Sequence, residues 1–106
     1  GAELCRRMGH RAVGTIVDFY HYFVENETPD DLVKAKDRLW HAHFARLNPD
    51  RGSPREGDEA MVKECADALK NAGYSGGRIS LECFVRKSVR EDIDEVFSLM
   101  DAFRKI

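Results

Sequence analysis

Arg38-Leu39-Trp40-His41-Ala42-His43-Phe44-Ala45 is the stretch that decides the fold. It is short, apolar on both faces apart from two histidines, and followed by a segment of helical periodicity. Two further stretches have the same character: Gly14-Thr15-Ile16-Val17-Asp18-Phe19-Tyr20 and Arg78-Ile79-Ser80-Leu81-Glu82-Cys83-Phe84. Strands buried on both faces belong to parallel sheets covered by helices. Helical patterns fill the gaps. Ala2–Gly9 sets Leu4, Cys5 and Met8 on one stripe. A second helix opens at Thr28-Pro29-Asp30-Asp31, with an N-cap, a first-turn proline and acids at the positive end of the dipole. A third runs from about Asp58 to Ala72, with Met61, Val62, Cys65 and Leu69 on its apolar face and Gly73 as its stop. The last begins at a Ser88-x-x-Glu91 capping box and carries Ile93, Val96, Phe97, Met100 and Phe103 on one side. The order α-β-α-β-α-β-α reads as α/β: three parallel βα units behind an N-terminal helix, in a single domain over residues 1–106.

Composition bounds the function. The chain has 106 residues, enough for one modest core. Its 17 Lys and Arg against 19 Asp and Glu leave a net charge of −2, so no basic surface is expected for nucleic acid. Apolar runs are too short to span a bilayer, and no signal-peptide pattern opens the chain. Cys5, Cys65 and Cys83 are odd in number, widely spaced and free of any C-x-x-C pair. A reducing, cytoplasmic location and buried, unreactive thiols are expected. The chain starts at Gly1 rather than Met, so either an artificial start or a cut from something longer is expected.

Period-two alternation sorts each strand into two faces. Trp40, Ala42 and Phe44 oppose Leu39, His41 and His43. Ile79, Leu81 and Cys83 oppose Ser80 and Glu82, and Val17 and Phe19 oppose Ile16 and Asp18. Each strand thus offers an apolar face to helices and, on the other face, a carboxylate or imidazole near its C-terminal end. Buried charge is costly unless paired, hydrogen-bonded or coordinated. Adjacent parallel strands would bring Asp18, His43 and Glu82 to one rim, a donor set suited to Mn²⁺, Mg²⁺, Co²⁺ or Zn²⁺. Ligands of parallel α/β folds bind at that end. His21, three residues beyond Asp18, is either within reach of a ligand there or an exposed loop histidine. His41 points the same way as His43 and reads as structural, or as a support for a metal ligand. Arg46 and Arg51, in the long loop Arg46–Gly57, either grip a polyol oxygen or phosphate or are solvated loop arginines.

At these residues the sequence resembles the sugar phosphate isomerase/epimerase family, the xylose isomerase-like TIM barrels. The matching elements are Val17-Asp18-x-x-His21, Leu39-x-His41-x-His43 with Arg51-x-x-Pro54, and Gly73-Tyr74-x-Gly76-x-x-x-Ser80-x-Glu82. The resemblance implies that Asp18, His43 and Glu82 are three of four ligands to one divalent metal ion. It implies that His21 and Arg51 contact oxygens of a sugar or polyol substrate, and that Glu82 also moves a proton as an enediolate forms. It makes the three strands the last of an eight-stranded barrel that needs ~250 residues. The fourth ligand, a glutamate on the preceding strand, has no counterpart here. Either self-association into a homo-oligomer or a complementing N-terminal half-barrel is therefore expected. Rival readings are a dehydratase, an endonuclease IV-like phosphodiesterase on the same scaffold, and a non-catalytic α/β fragment that oligomerises.

Overall fold

The computed structural model of the chain describes residues 1–47, 50–84 and 87–105. Asn48 and Pro49, within the long loop of the sequence reading, lie outside the described residues. The elements are α1 (Ala2–Met8), β1 (Thr15–Asp18), α2 (Phe19–Val24), α3 (Pro29–Ala35), β2 (Leu39–Phe44), α4 (Glu59–Asn71), β3 (Ile79–Leu81) and α5 (Val89–Met100), closed by a 3₁₀ turn over Asp101–Lys105. The strands form one open sheet in the order β1-β2-β3, both pairings parallel. The α/β class and the three parallel βα units are thus those expected.

Local chemistry explains where the boundaries fall. β1 ends earlier than the apolar run suggested, because Asp18 turns into an N-cap: its Oδ1 accepts the backbone N–H of Tyr20 at 2.9 Å and of His21 at 3.4 Å. Phe19 and Tyr20 are therefore helical. Phe19, Tyr22 and Phe23 recur at helical spacing and stack edge-on or tilted, with Phe19 and Tyr22 buried. α3 starts at the expected Thr28 N-cap with Pro29 in its first turn, and Asp31 reaches back to complete a capping box there. α5 starts at Ser88, whose Oγ accepts the Glu91 N–H at 3.2 Å. After α4 the chain turns at Gly73, in the left-handed region at φ 71° where glycine is favoured.

The helix-covered face of the sheet holds the core. Val17, Leu39, Ala42 and Phe44 pack with Phe19 and Leu32 and against Val62, Cys65 and Leu69 of α4. One expectation fails here. Pairing jumps from Thr15↔Leu39 to Ile16↔His41, so Trp40 is an extra residue in β2 and the alternation slips by one. Leu39 joins Ala42 and Phe44 in the core, and Trp40 is 45% exposed. The indole instead lies across Gly14, where a Cβ would come within 2.2 Å of it. The helix stripes are also only partly covered. Leu4 and Met8 of α1 are exposed while Cys5 is buried. On α5 Val96 is buried, whereas Phe97 is 58% exposed. Leu81, expected inside, is exposed on β3, an edge strand. Together with Cys83, Val89, Val96 and Phe97 it lines an apolar groove along that edge. A second cleft follows β1 on the opposite edge, lined among others by Ile16, Asp18, His21 and Glu25. Among the described residues, no helix is long and apolar enough to cross a membrane.

Candidate metal centre

The parallel register carries three side chains to one place. Asp18 is paired with His43, and His43 with Ser80, so Glu82 follows two residues along on the same face. The Glu82 N–H still donates to Phe44 O at 3.0 Å, which extends the ladder past β3 and fixes the Glu82 backbone. One donor atom from each of Asp18, His43 and Glu82 lies within 4.8 Å of the others. Among the described residues this is the one such group of His, Cys, Asp and Glu. His43 Nδ1 is 3.4 Å from Glu82 Oε2. His41, one pleat deeper, stands edge-on to His43 with centroids 5.1 Å apart, and its Nε2 meets Ser80 Oγ at 2.9 Å. That contact ties β2 to β3 directly beneath the rim.

Arg51 completes the cluster. Its Nη2 donates to Asp18 Oδ2 at 3.0 Å and to Glu82 Oε2 at 2.8 Å, and its guanidinium lies 4.8 Å from the centre of the Tyr20 ring. The loop delivers it from a left-handed backbone at φ 50°, rare for a non-glycine residue. Gly52 and Phe84 form a parallel bridge, with Phe84 N–H donating to Arg51 O at 2.9 Å. The solvated alternative for Arg51 is thereby set aside, and so is the one for Arg46. Arg46 donates Nε and Nη2 to Asp58 Oδ2 and Oδ1 at 2.9 and 3.0 Å, and Asp58 Oδ2 also accepts the Arg55 N–H. This nearly buried clasp anchors the loop to the start of α4. Its signal in the sequence was an arginine twelve residues before a helix-opening aspartate, too generic to single out. His21 stays apart: it is exposed on the first turn of α2, and its backbone N–H donates to the capping Asp18 carboxylate.

The donor set fits a divalent ion. Two carboxylates and an imidazole suit Mn²⁺, Co²⁺ or Zn²⁺, and an ion with bonds of ~2.0–2.2 Å draws such donors to within about 3–4 Å of one another. Small side-chain rotations cover that difference. Asp18 can offer only Oδ2, since Oδ1 caps α2. The thiols take no part. Cys65 is buried, and burial pushes its thiol far up. Burial, and then Asp92, raise that of Cys83.

A three-stranded parallel sheet with two carboxylates and an imidazole gathered at its C-terminal rim is consistent with a segment of a (β/α) barrel. The comparison with protein families agrees: the model for the xylose isomerase-like TIM barrels matches residues 1–105, and the chain belongs to that family. A search of curated proteins finds no match.

Proposed function

We propose that this chain supplies the C-terminal βα units of a divalent-metal-dependent sugar or sugar-phosphate isomerase or epimerase. The convergence of Asp18, His43 and Glu82 on one rim carries the reading. One divalent ion, held by these three side chains, would polarise adjacent substrate oxygens as a Lewis acid. Glu82, half-exposed, is the general base: it takes the proton from the carbon beside the substrate carbonyl. For isomerisation it delivers that proton to the former carbonyl carbon as the hydroxyl proton passes to the carbonyl oxygen. Epimerisation would need a second carboxylate, from the rest of the barrel, to reprotonate the opposite face. Arg51 and His21 hold substrate oxygens, Arg51 from within the cluster and His21 from the cleft along β1.

The remaining barrel is the natural partner. The grooves at both sheet edges call for further βα units, a complementing N-terminal half-barrel that would also bring the fourth ligand. A cytoplasmic setting goes with the three free cysteines.

Two experiments test the reading. Calorimetric titration of the chain with Mn²⁺ should give saturable binding that His43→Ala abolishes; no binding by a folded chain would favour the non-catalytic, oligomerising fragment. In the reconstituted barrel, Glu82→Gln should stop exchange of the substrate α-proton with solvent. Full activity in that variant would remove Glu82 from the proton-transfer role. An unsaturated product would assign a dehydratase instead.

A further inference from the structure

We infer that Arg51 is a resident cation of this site which exchanges with the divalent ion, so that metal binding turns the Arg51 side chain off the two carboxylates. The inference rests on the metal reading above and adds a control to it. Asp18 has one oxygen committed to the start of α2, so Oδ2 is the oxygen left for an ion, and Oδ2 is the atom that accepts Arg51 Nη2 at 3.0 Å. The same nitrogen donates to Glu82 Oε2 at 2.8 Å. A single N–H-bearing atom thus joins the two carboxylates across the cluster. An ion bonded at ~2.0–2.2 Å would compete for the same lone pairs and would meet the guanidinium charge at close range.

The loop backbone is not free to carry Arg51 away. Phe84 N–H holds Arg51 O at 2.9 Å, Arg46 N–H holds Gly52 O at 3.0 Å, and Gly52 N–H is held by Asp50 Oδ1 at 3.0 Å. Exchange is therefore a rotation of the side chain. The Tyr20 ring, already beneath the guanidinium, provides a resting surface that needs no carboxylate. Before the ion arrives, Arg51 keeps two like charges together; afterwards it is released toward the rim, where a substrate oxygen would lie.

Arg51→Gly tests this without backbone strain, because glycine suits the left-handed position. The variant should bind Mn²⁺ on the order of tenfold more tightly than the unmodified chain, the loss of a charge-assisted competitor. Its metal-free melting temperature should be lower and its upward shift on adding Mn²⁺ larger. A second measurement needs no variant: during titration with diamagnetic Zn²⁺, the Arg51 Nε–H resonance should move in step with saturation. Equal or weaker Mn²⁺ binding by the glycine variant, or an Arg51 resonance unmoved at saturation, overturns the exchange while leaving the metal site standing. Absence of binding by both proteins overturns the site and the exchange together.

Discussion

On one face of the sheet Val17, Ala42 and Phe44 are buried in the helix-covered core; one residue along each strand, on the other face, sit Asp18, His41, His43 and Ser80. The first set is apolar and closely packed, and its job ends with stability. The second is polar and partly open, and its polar groups find partners at the rim: His41 meets Ser80, and Asp18, with the neighbouring Glu82, accepts from Arg51 of the loop. Such a division places the folding energy on the helix side and leaves the rim free to carry chemistry. It also means that a substitution should move stability or ligand binding, rarely both.

The sharpest way to break that division is Phe44→Ala. Phe44 is fully buried and stacks near Phe19 and Phe103, and its truncation should cost about 3–5 kcal/mol in urea unfolding. Asp58→Ala comes next. It leaves the Arg46 guanidinium in a nearly buried site without its two-pronged partner, and a loss of about 2–4 kcal/mol is expected by the same measurement. Similar loss of Mn²⁺ binding in this variant would show that the clasp positions the loop as well as stabilising it. His43→Ala should do the reverse, changing stability by no more than about 1 kcal/mol while abolishing saturable Mn²⁺ binding in calorimetry. A large stability loss there would mean the rim is part of the core.

The smallest effect lies far from both faces. The Thr28 N–H donates to the Asp31 carboxylate at 2.8 Å and holds its pKa below the ordinary value. A lowered folded-state pKa gives stability that is present above the unfolded pKa and lost as pH falls through the folded one. Asp31→Asn should therefore melt slightly below the unmodified chain at neutral pH, and the two melting curves should converge in acid. A gap that persists at low pH would point to the Thr28 hydroxyl rather than to the charge.

The sequence was readable where periodicity and caps agree. Thr28-Pro29, Ser88-x-x-Glu91 and the Val62, Cys65, Leu69 stripe all appear where spacing predicts. Asp18, His43 and Glu82 were also within reach, because parallel register turns equal position along neighbouring strands into proximity. The failures have physical causes. Alternation cannot reveal a bulge, so Trp40 and Leu39 exchanged faces. An apolar aromatic run suits strand or helix equally, and the Asp18 cap decided for helix at Phe19. Leu81 and Phe97 look like core residues in sequence, yet they lie at an edge. The Arg51 bridge depends on one left-handed residue in a loop, which no spacing encodes.

The three rim donors sit at the ends of three successive strands in chain order, Glu82 one residue past β3. The set becomes complete only when the last strand docks, so an intermediate holding β1 and β2 alone has two donors and a native chain has three. On the metal reading proposed above, an ion that prefers the full set would act as a proofreader of assembly. By mass action it would stabilise the finished sheet over every partly folded precursor, and its binding would mark the moment at which the C-terminal strand has found its register.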